Sequence, residues 1–149
     1  MKKKRISALA IITLVIVIII LILFIFKPNS SQVCIKENCF NVELAKTQAE
    51  LTKGLMYRSS LESTSGMLFI FQTEGKYSFW MKNTLVPLDI LWINKNKEIV
   101  YINKDTLPCQ SDPCLTYGPN SPALYVLEIN AGLSEKYSFN VGDKVDFDY

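Results

Sequence analysis

The fold of this chain is most constrained by the segment from Gly66 to Asp89, which reads GMLFIFQTEGKYSFWMKNTLVPLD. It begins with five consecutive apolar residues, and such a run between turn residues is typical of a strand buried on both faces. A polar turn containing Gly75 follows, and Tyr77 to Met81 then alternate in character, which predicts a hairpin partner for the first strand. The segment therefore predicts a domain built around a buried β-sheet.

Polar residues follow the aromatic part of this segment directly. Lys82, Asn83 and Thr84 come after Trp80, and Asp89 lies in the next apolar stretch. Because an unpaired buried polar group costs a few kcal/mol, these side chains should be paired or should face a pocket. If this segment is a strand, Trp80 and Lys82 share one face of it. The indole would then form the floor of a ligand pocket. We expect a binding site here, although Asn and Thr at such positions are also ordinary turn formers.

Residues 6–26 are apolar except for two hydroxyl side chains. Twenty-one helical residues span roughly 31 Å, the thickness of a bilayer's hydrocarbon core. Four basic residues precede the stretch, so the positive-inside rule predicts a cytoplasmic segment at residues 1–5, a stalk at 27–31 and an extracytoplasmic domain at 32–149. A cleaved signal peptide is the alternative, but the stretch ends without a small-residue cleavage site. We predict an uncleaved single-pass anchor in the cell membrane, with the lipid bilayer as its partner.

Composition removes several classes of function. The chain has no histidine, which excludes Ser-His and Cys-His catalysis and histidine-ligated metal sites. Its net charge of +2 depends on the basic cluster before the anchor. From residue 27 onward, twelve basic residues face fourteen acidic ones, a net charge of −2. No basic stripe remains in that domain, so we do not expect a nucleic-acid partner.

The four cysteines form two pairs with equal spacing, Cys34 with Cys39 and Cys109 with Cys114. An even number of cysteines outside a membrane favours disulfides. A four-thiolate zinc site is the alternative that spacing alone leaves open, but the expected compartment argues against it. We predict two local disulfides, no metal and no cofactor.

Hydrophobic periodicity and turn residues predict the remaining elements. A capping box at Thr47 to Glu50 predicts a short helix over 48–57, and Pro87 should mark the beginning of a strand. A loop with many prolines covers 105–122, and one helical turn follows Gly132. The other predicted strands cover 32–34, 39–45, 85–93, 98–102 and 123–129, and residues 141–147 are expected to form a turn and a last strand.

Several short blocks in this order resemble the family called domain of unknown function 192. The most specific is the aromatic block Phe79-Trp80-Met81-Lys82-Asn83-Thr84. The resemblance covers roughly Asn41 to Val145. It implies a small, mostly β domain with a short helix, often exported or membrane-anchored, and it implies no established activity. The other matching blocks are Gly54-Leu55-Met56 with Arg58, Gly66-Met67-Leu68-Phe69, Pro87-Leu88-Asp89-Ile90, Leu127-Glu128 with Asn130-Ala131-Gly132, and Gly142-Asp143.

Asp89 and Glu128 are the candidate acid–base pair, because both lie within apolar strands where desolvation raises a carboxyl pKa. Two such carboxylates are the minimum for glycoside cleavage. The alternative is that each accepts hydrogen bonds and fixes loops. A copper(I) site is weakly indicated by three methionines, Met56, Met67 and Met81, because thioethers bind this ion. Methionine side chains more often fill gaps in a hydrophobic core.

The sequence thus predicts a mostly β (α+β) fold: a small, compact, antiparallel or mixed β-barrel-like domain with one short helix, preceded by a transmembrane helix. We expect a non-catalytic binding or accessory module for a small molecule, glycan or protein, with its site at Trp80, Lys82, Asn83, Thr84, Asp89 and Glu128. The alternatives are a hydrolase of cell-envelope polymers that uses Asp89 and Glu128, and a structural envelope component.

Overall fold

The computed structural model describes residues 14–17 and 31–148. The predicted anchor at residues 6–26 lies largely outside these residues, as does most of the predicted stalk. Within the two described ranges, no helix combines the length and apolar character needed to cross a membrane. Ser31, predicted to end the stalk, instead begins the first strand.

Residues 31–148 form nine strands and two short helices, largely at the positions predicted. Both cysteine pairs form the predicted disulfides. The elements are β1 (Ser31–Ile35), β2 (Asn38–Ala45), α1 (Gln48–Lys53), β3 (Ser65–Gly75), β4 (Phe79–Trp80), β5 (Leu88–Ile93), β6 (Ile99–Thr106), β7 (Thr116–Tyr117), β8 (Ala123–Asn130), α2 (Leu133–Lys136) and β9 (Val145–Phe147).

Seven strands form one sheet in the order β6-β5-β8-β3-β2-β1-β9, and β4 pairs with β7 in a separate ribbon. Neighbours in the large sheet are antiparallel except β2 and β3, whose parallel pairing requires the crossover that carries α1. The sheet curls until its two edges meet at one end, where a bridge joins Glu98 to Lys144 and the Ile99 N–H donates to the Asp143 carbonyl over 3.0 Å. The mostly β, barrel-like prediction is therefore confirmed as a curled half-barrel with short helices.

The sheet has a hydrophobic core on each face. The inner core fills the curl and closes against α2, whereas the outer core lies between the central strands and the segments around α1, β4 and β7. Representative inner residues are Val33, Phe40, Leu68, Leu91, Leu127, Ile129 and Phe147. Representative outer residues are Leu55, Met67, Phe69, Met81, Leu88, Ile90, Trp92 and Val126.

The predicted hairpin between Met67–Phe71 and Tyr77–Met81 is wrong. Strand β3 continues to Gly75, and both of its edges are occupied, by β2 on one side and β8 on the other. The aromatic block therefore has no place beside β3, and its two-residue strand pairs with β7 from the long loop. The predicted alternation does hold, because Met81 is buried and Trp80 is exposed.

The capping box of α1 is confirmed, with the Thr47 side chain accepting from the Glu50 backbone N–H. The helix is shorter than the predicted 48–57, because it ends at Lys53 where Gly54 adopts a φ of 47°. A Cβ at Gly54 would lie only 3.1 Å from Cζ of Phe69. This glycine therefore both ends the helix and lets the chain pack closely against the outer face of the sheet.

Candidate functional site

A cleft with a cavity volume of about 590 Å³ lies on the outer face of the sheet, between α1 and the segment that leads into β4. Such a volume falls within the range of small-molecule sites, roughly 300–1,000 Å³. Its walls are partly aromatic, and polar side chains of α1 interrupt them. The aromatic residues are Phe69, Phe71, Tyr77, Phe79 and Trp80, and the polar residues of the helix are Gln48 and Thr52.

The aromatic wall is held rigidly by ring contacts. Phe71 and Tyr77 stack with 3.5 Å between ring centroids, and Phe79 meets Phe69 edge to face at 4.9 Å. The Tyr77 hydroxyl donates to the Thr73 carbonyl over 2.6 Å. Because the rings fix one another, this side of the cleft is formed before any ligand enters.

Glu128 lies at the base of the cleft. It shares the outward face of β8 with Val126, and it is only 5% exposed. Burial disfavours the charged carboxylate and raises the pKa of Glu128 to about 8. In the part of the chain that the structure describes, no donor hydrogen-bonds this carboxyl. The residue is buried but lines the cleft, and a carboxyl that burial keeps neutral at such a place is a functional candidate.

Trp80 forms the rim of the cleft and is 45% exposed. The pairing of β4 with β7 holds its backbone, and the Lys82 ammonium lies 5.6 Å from the centroid of its ring. Lys82 is itself paired with Asp112 at 3.0 Å. The indole therefore presents aromatic surface to solvent from a fixed position, as binding residues do.

The structure divides the six predicted site residues among three places. Trp80, Thr84 and Glu128 line the cleft. Lys82 and Asn83 instead line a smaller cavity of about 190 Å³ beside the second disulfide. The Asn83 side chain is occupied there, because its Nδ2 donates to the Tyr57 hydroxyl over 2.9 Å. The structure therefore brings Trp80, Thr84 and Glu128 together at one cleft and places Lys82 and Asn83 at another.

Asp89 lies on the other face of the sheet. In the β5–β8 ladder it pairs with Ile129, whereas Glu128 pairs with Ile90, so the two carboxyl groups point in opposite directions. The Asp89 carboxylate is fully buried and accepts from the backbone N–H groups of Asp105 (2.8 Å), Gly132 (3.2 Å) and Ser134 (2.7 Å). The structure therefore does not bring Asp89 and Glu128 together as an acid–base pair, and Asp89 fixes loops.

The sequence interpretation missed the wall of the cleft that α1 contributes. The available signal was Gly54, whose ideal Cβ would also lie 3.9 Å from Oε2 of Glu128. A glycine inside the predicted helix 48–57 is a sign of close packing, but the sequence does not show what packs against it. Of the three methionines considered for copper, Met67 and Met81 belong to the outer core and Met56 lines the cleft.

Solved structures resemble this domain over most of its length. A crystallised protein of unknown function from Novosphingobium aromaticivorans DSM 12444 is 34% identical, with a TM-score of 0.71 over 78% of this chain and 83% of that one. A "putative transcription regulator" from Sinorhizobium meliloti 1021 is 32% identical, with a TM-score of 0.71 over 79% of this chain and 93% of that one. No curated protein matches the chain.

The family model of DUF192, described as "Uncharacterized ACR", matches residues 23–147. This match includes the aromatic block at the rim of the cleft and Glu128 at its base. The chain therefore belongs to the DUF192 family, domain of unknown function 192.

Proposed function

We propose that this domain is a binding module that holds a small molecule in the Glu128 cleft. The observation that carries the proposal is a buried carboxyl without a partner at the base of an aromatic-walled cleft. A ligand that enters would hydrogen-bond Glu128 and cover the exposed indole of Trp80, and both contacts are favourable. Hydrolysis by the carboxylates of Asp89 and Glu128 has no support, because Asp89 lies on the opposite face of the sheet.

Replacing Trp80 by alanine is expected to weaken ligand binding about tenfold, because one well-placed aromatic contact contributes about 1.4 kcal/mol. The probe is a library of small soluble fragments, neutral, cationic and anionic, screened by saturation-transfer NMR against the 149-residue chain. Leu85→Ala is the matched control, since Leu85 is also an exposed apolar residue but does not line the cleft. Fragments that bind the wild type and the Trp80→Ala variant equally well would refute the cleft as the site.

We also propose that residues 6–26 anchor this domain outside the cell. The length of the apolar stretch and the basic residues before it support this placement, and so do two disulfides, which are typical of oxidising compartments. Proteinase K added to intact cells should remove the domain while a cytoplasmic marker protein stays whole. Full protection of the domain in intact cells, with digestion only after lysis, would show that the topology is wrong.

A further inference from the structure

We infer that the ligand of the Glu128 cleft is a neutral, sugar-like molecule, whose hydroxyl groups meet Glu128 and whose ring lies on Trp80. This inference rests on the proposed binding function and specifies the chemical class of the ligand. It is carried by the charges around the cleft, by the mixture of polar and aromatic walls, and by the exposure of the indole.

The charges around Glu128 disfavour a cationic ligand. Lys46 and Lys53 line the cleft beside α1, and the nearby Glu50 carboxylate is engaged by the backbone N–H groups of Lys46 and Thr47, so an entering ammonium group meets positive charge. On β2, which β3 separates from the strand of Glu128, Glu43 is neutralised by Arg58, with two contacts of 2.5 and 2.6 Å. No cation pairs with Glu128 within residues 31–148, so its burial favours the neutral acid.

A neutral acid at the base of the cleft also disfavours an anionic group there. An anion at the base of the cleft would have to lose its water next to a carboxyl that burial already keeps protonated, and burial is the influence that acts on this carboxyl. A protonated carboxyl can both donate and accept a hydrogen bond, and so can a hydroxyl group. The two are therefore matched partners at the buried end of the cleft.

The rest of the lining suits a polyhydroxylated ring. Gln48, Thr52 and Thr84 supply neutral donors and acceptors along the cleft, and Trp80 supplies an open aromatic face. The C–H groups on one side of a sugar ring carry partial positive charge and pack against the negative face of an indole. The Gln48 amide donates to the Thr52 hydroxyl over 3.4 Å, and a ligand with hydroxyl groups can hydrogen-bond both side chains, whereas a purely apolar ligand cannot.

The pKa of Glu128, raised to about 8, agrees with this inference. If a neutral ligand binds the protonated acid, affinity must decline once the proton leaves. With a pKa near 8, only about a tenth of the molecules carry the proton at pH 9, so binding should be about tenfold weaker there than at pH 6. The other titratable group in the lining, besides the two lysines, is Tyr77.

The test measures the binding of neutral disaccharides to the 149-residue chain by titration calorimetry. The probes are cellobiose, maltose and N,N′-diacetylchitobiose, with the diamine chitobiose as the cationic counterpart of the last. At least one neutral sugar should bind, chitobiose should bind at least tenfold more weakly than its acetylated form, and affinity should fall about tenfold from pH 6 to pH 9.

Two variants separate the possible outcomes. Glu128→Gln keeps the shape of a protonated acid, so it should retain sugar binding within about threefold and abolish its pH dependence, whereas the exposed Glu135→Gln should change neither. Loss of binding in Glu128→Gln, or preference for chitobiose, would overturn the inference in favour of a cation. Fragments that bind in the cleft without any sugar binding would overturn the sugar class alone. No fragment or sugar binding at all would overturn the proposed function as well.

Discussion

Replacement of Asp89 by alanine is expected to destabilise the domain by about 4 kcal/mol, which is a large share of a small domain's stability. The fully buried carboxylate accepts from three backbone N–H groups, those of Asp105, Gly132 and Ser134. Each of these donors would lose a charged acceptor, and leaving buried donors unpaired costs about 1–3 kcal/mol each. Partial entry of water into the space left by the side chain keeps the total below the sum of the three.

Urea denaturation of the wild type and the variant, followed by circular dichroism, measures this loss. Asp146→Ala is the matched control, because Asp146 is an exposed carboxylate on β9 and its removal should change stability by less than about 0.5 kcal/mol. A similarly small change for Asp89→Ala would mean that the hydrogen bonds to Asp89 do not hold the loops. If Asp89→Ala has normal stability but does not bind the ligand, Asp89 contributes to ligand binding and not to stability.

Local signals account for what could be predicted from the sequence. The Thr47–Glu50 capping box begins α1, and Pro87 directly precedes β5. The close spacing of Cys34 and Cys39 places them opposite each other across the β1–β2 turn. In each case the residues that determine the structure lie within a few positions of one another, so tertiary packing does not compete with them.

The pairing of β4 with β7 could not be predicted in the same way. Trp80 and Thr116 are 36 positions apart, and a two-residue strand carries no periodicity. The apolar run in β3 was recognised as buried on both faces, but nothing in it indicates which strands lie beside it. The predicted hairpin pairs β3 with the segment that follows it in the sequence. In the structure, β2 and β8 occupy the two edges of β3 instead.

The same limit applies to the predicted pairing of Asp89 with Glu128. Strands β5 and β8 have apolar residues on both faces, so alternation does not show which face is the inner one. A change of one position in register moves a side chain to the opposite face. The strand pairing places Glu128 opposite Ile90 and Asp89 opposite Ile129. This pairing shows that Asp89 lies inside the curl, whereas Glu128 faces the cleft.

Replacement of Glu128 by glutamine is expected to stabilise the domain at alkaline pH by up to about 5 kcal/mol, and to change little at pH 4. Burial raises the pKa of Glu128 from 4.5 to about 8, so the folded protein binds this proton more tightly than the unfolded chain does. The stability of the wild type should therefore be highest below about pH 4.5, as far as this group is concerned. Its contribution should fall as pH rises from 4.5 to about 8 and then level off.

Denaturation curves at pH 4, 7 and 9 for the wild type and Glu128→Gln measure this difference. The gap between them should open with rising pH, by about 1.4 kcal/mol for each pH unit between the two pKa values. Glu135→Gln should give a constant and small gap, because Glu135 is exposed. A gap for Glu128→Gln that does not change with pH would show that the carboxyl ionises in the folded protein as it does in water.

The position of a buried carboxyl in the lining of the cleft indicates a function. Glutamine has nearly the same shape as a protonated glutamate and would occupy the cleft without the penalty of ionisation. A protein selected for stability alone has no reason to hold a carboxyl at this position. We expect Glu128→Gln to be more stable at pH 9 and to lose the pH dependence of ligand binding. Both results together would show that the proton on the Glu128 carboxyl determines both the stability at high pH and the affinity for the ligand.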